Sequence, residues 1–555
     1  MVFKGLSRLQ SPCFKTIYDT DIVLELTLVS IPEACEWASH YLNRDIKSSN
    51  LEYLIQYSKI SKYHDRSGNV CVSLDELKDY YDHQVLSKKE RWKSKLGNDI
   101  AWQLSFEELP ESERTKHVHR LHPYKGKFIP QLVQYFLDDH TDDFKNETYF
   151  SLCDTVLDPF MGSGTTLVQA SEMGINSIGI DISEFNCLIA KVKTDIYDTF
   201  TLKYKLDLAL SKLEQFSSHI FNDGFDNQLR KRISEYNRVN FPAREYKKLV
   251  NAKMINEDEY STSKLEEFFK INSEFIEMNE TVAKEKIVDQ NNVSSFISKW
   301  FTKRIRQELS FYIDLINKEQ DLQVANVMKI ILSRTARSCR ATTHSDLATL
   351  IQPQYLPYYC HKHYKICTPI DSIIKHLKKN TMDTVERLKA YSKLRREGVK
   401  ISIIHGDSRN VDIKKSLEED QNQVTAPSNW KVDGVFTSPP YVGQIDYHEQ
   451  HAYSYEMFNI PREDEKEIGP MFKGKNETAK NAYIEDISSV LLNISRFVKD
   501  DGNYFIVAND QYNLYPKIAK KSGLEIIQVF KRPVLNRTER DRQPYAEFIF
   551  HMRKK

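Results

Sequence analysis

Two short stretches carry residue types whose spacing suits chemistry on a flat heterocycle. The first is Thr437-Ser438-Pro439-Pro440-Tyr441, which follows the apolar run Val432-Asp433-Gly434-Val435-Phe436. Two prolines after a β-prone run fix φ and withhold N–H donors, so the chain leaves its sheet as a rigid, extended corner. Such a corner gathers unpaired carbonyls, the Ser438 hydroxyl and the ring of Tyr441 in a small volume. Hydroxyl and carbonyl accept the hydrogens of an exocyclic amine while the ring stacks on the face of the base. Taken alone, the pentapeptide reads equally well as an ordinary Pro-Pro turn with a core tyrosine.

The second stretch, Asp158-Pro159-Phe160-Met161-Gly162-Ser163-Gly164-Thr165-Thr166, weights the reading toward chemistry. It lies between a short β-prone run (Thr155-Val156-Leu157) and a helix-like one (Leu167-Val168-Gln169-Ala170). Strand, glycine turn and helix make the first half of a nucleotide-binding βαβ unit. The glycines admit a ligand close to the backbone, and the helix start offers free N–H donors. No lysine follows the glycines, which speaks against a P-loop. The next strand, Ser177-Ile178-Gly179-Ile180, ends at Asp181, about 20 residues beyond the glycines and placed to bind ribose hydroxyls.

With these residues in view, the sequence resembles the amino-methylating DNA methyltransferases that use S-adenosylmethionine, in particular the N4-cytosine type of bacterial restriction-modification systems. Their cofactor motif is similar to Asp158–Thr166, with Asp158, Phe160, Gly162, Gly164 and Thr165 carried over as cofactor residues. Their catalytic motif looks like Ser438, Pro439, Pro440 and Tyr441. The segment His122-Pro123-Tyr124-Lys125-Gly126-Lys127-Phe128-Ile129-Pro130-Gln131 resembles the one that closes over the methionine end, which implicates Tyr124 and Lys127. Gly406-Asp407-Ser408, after Ile401-Ser402-Ile403-Ile404, looks like the acidic turn at the adenine and implicates Asp407. The resemblance covers roughly residues 115–195 and 400–555. It implies a target base flipped out of double-stranded DNA and stacked on Tyr441, with Ser438 and the Pro439 carbonyl receiving the amine hydrogens. It also implies functional pairing with a cognate restriction endonuclease. The cofactor motif precedes the catalytic one, the reverse of many enzymes with this serine motif, so methylation of adenine N6 stays open. A DNA-binding regulator on an inactive methyltransferase fold is the non-enzymatic alternative; the intact motif residues speak against it.

Composition fits this class. The chain has 555 residues, 40% hydrophobic and 28% charged, with a net charge of +1, so any nucleic-acid footprint must be local. Eight scattered cysteines suit a reducing cytosol, and no run approaches the roughly 18 apolar residues of a membrane span. The expected location is cytoplasmic, with no membrane partner.

The elements predicted around the motifs give an α/β, Rossmann-like doubly wound methyltransferase sheet. It carries a large, mostly helical insertion and an N-terminal winged helix-turn-helix-like module. Residues 1–90 form that module: a helix from Ile31, a second from Leu51 to about Tyr63 capped by Ser48-Ser49-Asn50, a turn at Asp65–Asn69, a strand at Val70–Val72 and a helix from Leu74. This arrangement resembles excisionase-type modules, in which the second helix enters a DNA groove, so Tyr53 and Gln56 are candidate DNA contacts. A small helical cap is the competing reading. Residues 91–199 form the cofactor half, 200–400 the insertion and target recognition domain, and 401–555 the catalytic half, ending in Tyr545–Met552, which alternates like an edge or closing strand.

In the insertion, residues 296–400 hold 20 Lys/Arg against 9 Asp/Glu. Arg334, Arg337 and Arg340 recur every third residue and are candidate phosphate contacts, against the reading of a merely solvated face. Cys360, His363 and Cys367, with Cys339, could be read as metal ligands. The absence of a second tight Cys/His pair speaks against a zinc site, and no metal is expected.

Overall fold

In the computed structural model the described residues are 27–42, 45–56, 59–65, 67–82, 87–221, 224–278, 295–346, 350–419, 430–534 and 544–555. Among them the strands in chain order are β1 (Leu28–Ser30), β2 (Tyr63–His64), β3 (Val70–Ser73), β4 (Thr155–Asp158), β5 (Asn176–Asp181), β6 (Tyr358–Cys360), β7 (Lys365–Cys367), β8 (Ile401–His405), β9 (Val432–Thr437), β10 (Val498–Ala508), β11 (Leu524–Pro533) and β12 (Ala546–Lys554). The residues fall into two compact units, one of residues up to Arg114 with Val529–Ile549, the other of Thr115–Gln528 with Phe550–Lys555.

A seven-stranded sheet of order β11-β12-β10-β9-β4-β5-β8 contains the strands β4, β5, β8, β9 and β10 of the larger unit. Strand β4 runs parallel to β5 and β9, β5 to β8, and β9 to β10. Val156, Leu157, Ile178, Ile180, Val435 and Phe436 are all buried, the near-continuous apolar pattern of strands covered on both faces. From β4 the chain steps outward to β5 and β8, then returns to the other side of β4 as β9. That reversal is a topological switch point, and in such sheets the crevice beyond the C-terminal strand ends is where ligands bind. The doubly wound fold is therefore as predicted, and strands β4, β5, β8 and β9 match their sequence-predicted positions to within a residue or two.

Strand β12 departs from expectation: it lies inside the sheet, between β11 and β10, and β11 takes the edge. Ile549, Phe550, His551 and Met552 are consecutively buried, so the apparent alternation does not mark a half-exposed strand.

The inserted residues do not all stand apart. The helices Thr199–Ile220, Lys303–Lys318, Leu322–Ser338 and Ile374–Ser392 bury Leu206, Leu213, Tyr312, Ile331 and Leu388 in one core with Val168, Phe185 and Ile189 of the cofactor half. A second, smaller core joins Leu229, Ile233, Phe241, Tyr246 and Phe268 to Ile366 of the β6–β7 hairpin. No described helix is long and apolar enough to cross a membrane.

In the smaller unit, β1-β3-β2 form an antiparallel sheet beside the helices Ile31–Leu42, Ser48–Gln56 and Leu74–Tyr81. Ala34, Ala38, Leu51, Leu54, Val72 and Leu77 make its core. The predicted strand and third helix are present. The second helix is shorter than predicted: it is described only as far as Gln56, and Tyr63 lies in β2, where it pairs with Cys71. The Tyr63 hydroxyl donates to Glu76 at 2.7 Å, an interaction from outside the local pattern that favours the strand.

Candidate active site

Strand ends β4, β5, β8 and β9 open onto one cleft. From the predicted set, Tyr124, Lys127, Phe160, Gly162, Thr165, Asp181, Asp407, Ser438 and Pro440 line it. Asp158, Gly164, Pro439 and Tyr441 are not among its lining residues.

The turn after β4 is built around two glycines in the left-handed region, Gly162 (φ 51°) and Gly164 (φ 75°). A Cβ on Gly162 would stand 3.0 Å from the Tyr124 hydroxyl, and one on Gly164 2.9 Å from the Ala190 methyl. Gly162 is therefore what lets Tyr124 close over the turn, and Gly164 lets the following helix start against its neighbour. The Tyr124 ring also stacks near Tyr447, with centroids 5.9 Å apart.

Asp181 receives three donors: Gly162 N at 2.8 Å on Oδ2, and Ser183 N at 2.9 Å and Asn186 Nδ2 at 3.0 Å on Oδ1. Burial outweighs these bonds and pushes its carboxyl up to about 6. Oδ2 keeps acceptor capacity for a hydroxyl. On the same wall, Ser163 Oγ and Asn186 Oδ1 are buried without a hydrogen-bond partner. Polar atoms so placed fit a polar ligand better than an empty apolar slot.

Asp407 is held bidentately by Arg409, with Nε at 3.0 Å from Oδ1 and Nη2 at 2.7 Å from Oδ2; Arg409 is itself anchored to Asp486 at 2.8 Å. Burial acts to raise the Asp407 carboxyl, but the Arg409 bonds win and hold it below the usual carboxylate range. Lys127 donates to the His119 carbonyl at 2.5 Å, and burial, aided by Arg120 and Arg387, lowers its ammonium to about 8.

Asp158 differs from the predicted cofactor contact. Its carboxylate accepts from Thr166 Oγ1 (2.7 Å), Thr437 Oγ1 (2.6 Å) and Phe160 N (3.1 Å), so it braces the cleft from within. Around the corner after β9, Tyr483 donates its hydroxyl to the Pro440 carbonyl at 2.8 Å and meets the Tyr515 hydroxyl at 3.1 Å. Neither Ser438 Oγ nor the Pro439 carbonyl has a hydrogen-bond partner among the described residues.

The sequence reasoning missed Ser183, Asn186, Tyr447, His448 and Glu467, all on the cleft. Ser183 caps the helix after Asp181, a local signal that was available. Glu467 had none: it lies in a connecting segment and accepts from His448 N (2.7 Å) and Tyr447 N (3.3 Å). Burial raises its carboxyl to about 7 despite those bonds.

The predicted DNA contacts fare differently. Tyr53 is exposed, whereas the Gln56 side chain lies outside the described residues. The arginine row is turned inward: Arg334 binds Asp383 (2.5 Å) and Thr384 (2.7 Å), and Arg340, past the helix end, is buried with its guanidinium over Tyr453. Arg337 is half-buried. The helix Leu322–Ser338 is buried nearly all round, so three-residue spacing did not mark a solvent face.

Residues 37–192 match the family model described as DNA methylase. Over 535 residues the chain is 49% identical to the Type II methyltransferase M.MjaII of Methanocaldococcus jannaschii, covering 96% of this chain and 98% of that one. Shorter matches are to M.BsoBI of Geobacillus stearothermophilus (33% over 117 residues, 20% of this chain and 21% of that one) and M.MvaI of Kocuria varians (31% over 151 residues, 27% and 30%), both also Type II methyltransferases.

Proposed function

Because the chain belongs to the N6/N4 amino-directed DNA methylases of Type II restriction-modification systems, with S-adenosylmethionine as methyl donor, we propose that its target is the N4 amino group of cytosine, flipped out of double-stranded DNA. The observation that carries the cytosine reading is the corner after β9. Among the described residues Ser438 Oγ, on the cleft-lining Ser438, and the adjacent Pro439 carbonyl have no hydrogen-bond partner, while Tyr483 takes the Pro440 carbonyl.

The residues present fit the donor: the turn at Gly162, the spare acceptor position on Asp181 and the unpartnered Ser163 and Asn186 oxygens form a polar cradle at the switch point. Asp181 would hold ribose hydroxyls, Asp407 the adenine, and Tyr124 with Lys127 the methionine end. When bound, S-adenosylmethionine supplies an electrophilic methyl group on its sulfonium. The chain's own task is to make the amine nucleophilic. An exocyclic amine delocalises its lone pair into the ring. By accepting its two hydrogens, Ser438 Oγ and the Pro439 carbonyl favour a pyramidal nitrogen with a localised lone pair. Tyr441 stacks on the base and fixes the line of approach. Tyr483 and Asp158 keep the corner from shifting.

Serine is a short, neutral acceptor, which suits the smaller cytosine ring; adenine enzymes more often place an aspartate or asparagine before the two prolines. Exposed Tyr53 with Gln56, in residues 1–90, reads the duplex, and the basic insertion of residues 200–400 contributes target recognition. A cognate endonuclease cutting the same site is the functional partner, and the setting is the cytoplasm. The test is transfer of labelled methyl to unmodified genomic DNA, digestion to nucleosides and separation by mass. Label is expected on N4-methylcytosine; label on N6-methyladenine would overturn the assignment.

A further inference from the structure

We propose that His344, Cys360, His363 and Cys367 bind one structural zinc ion. The two cysteines and His363 sit on the β6–β7 hairpin, and His344 comes from the segment after the helix Leu322–Ser338. Their four ligand atoms all lie within 4.8 Å of one another. Cys360 Sγ is 3.6 Å from both His344 Nδ1 and His363 Nδ1, and Cys367 Sγ is 3.6 Å from His363 Nδ1. Tetrahedral zinc with Zn–S of about 2.3 Å and Zn–N of about 2.0–2.1 Å requires S···N edges of about 3.5–3.6 Å. Three sulfur–nitrogen edges therefore already have the length the metal would impose. Two thiolates and two imidazoles form the tetrahedral S₂N₂ set that zinc takes.

The fourth ligand corrects the sequence reading. Cys339 caps a helix in the main core and is no part of the cluster. His344, 16 residues before Cys360, completes the set that a sequence pattern of one tight group lacked. The Tyr358 hydroxyl accepts the His344 N–H at 3.0 Å and orients that residue; its second contact, 2.8 Å to Nδ1, is the one the metal replaces.

Charge and stability also favour the ion. Zinc binding releases both thiol protons, and Zn²⁺ with two thiolates and two neutral imidazoles is uncharged, so its half-buried setting exacts little desolvation. Strands β6 and β7 are three residues each, too short to hold a hairpin by themselves. The hairpin is also gripped by Asn237, which bonds both the N–H (3.0 Å) and the carbonyl (2.8 Å) of Ile366. The metal would thus tie the Leu229–Phe268 core to the segment leaving the main core. All four positions are filled by protein, so the role is structural and no open position is left for catalysis.

The full-length protein, purified without chelators, is expected to carry one zinc per chain by elemental mass spectrometry, and C360S and C367S to lose it while C153S keeps it. Cobalt substitution is expected to give the d–d bands of a tetrahedral thiolate–imidazole site. In the wild type, Cys360 and Cys367 are expected to resist maleimide until a chelator strips the metal, a readout that stands even where the variants fail to fold. A folded, metal-free protein whose Cys360 and Cys367 label freely or are joined as a disulfide would overturn the proposal, as would zinc retained by both C360S and C367S.

Discussion

Thr437 Oγ1 donates to Asp158 Oδ1 across 2.6 Å, joining the last residue of β9 to the last residue of β4, 279 positions earlier. The bond clamps the catalytic corner to the cofactor turn, and burial raises the Asp158 carboxyl to about 6. Thr437→Val keeps the shape but leaves a buried carboxylate short of a donor, at about 1–3 kcal/mol. Denaturant unfolding is expected to show that loss, and Thr437→Ser to restore it. Because Ser438 is next in the chain, kcat is expected to fall more than cofactor affinity. An unchanged unfolding midpoint would remove the clamp.

Asp181→Ala is expected to weaken S-adenosylmethionine binding at least tenfold, since a charge-assisted hydrogen bond contributes roughly 1.5–3 kcal/mol, with DNA affinity nearly intact. Acceptance needs the carboxylate, and burial raises that group from 3.8 to about 6. Cofactor affinity measured by calorimetry should therefore decline as pH drops through about 6, and Asp181→Asn should flatten the profile. Equal affinity in wild type and Asp181→Ala would reject the ribose role.

Glu467 gives a stability signature. Burial raises its carboxyl from 4.5 to about 7, so between these values the native state holds a proton that the unfolded chain has released. Stability from this group is full below about pH 4.5, falls as pH rises, and levels off above about 7. The total is at most about 3 kcal/mol. Unfolding midpoints across that window are expected to flatten in Glu467→Gln; an identical slope would place the titration elsewhere.

How much of this was legible followed from how local each signal was. Gly162, Gly164, Asp181 and Ser438 could be read because turn, helix start and strand end are encoded within a few residues of one another. The partners that brace them could not: Tyr483 on Pro440 and Glu467 on His448 are brought in by long connections with no sequence pattern. Arg334 and Arg340 misled because helical spacing shows which residues share a face, not whether another helix covers it. Asp383, which takes Arg334, lies on such a helix.

Tyr53 tests the N-terminal module. Replacing Tyr53 and Gln56 together by alanine is expected to weaken duplex binding about tenfold or more, on the order of the 1–3 kcal/mol of a base contact, and to leave cofactor affinity unchanged. Full DNA affinity in the double variant would reduce the module to a structural cap.

The central claim is the identity of the methylated atom. The most direct measurement is modified-base sequencing of DNA from cells that express this chain in a host without methylases of its own. The expected result is N4-methylcytosine at a single recurring sequence, lost in Ser438→Ala. N6-methyladenine at the recurring site, or no modified base despite cofactor binding by the purified protein, would contradict it.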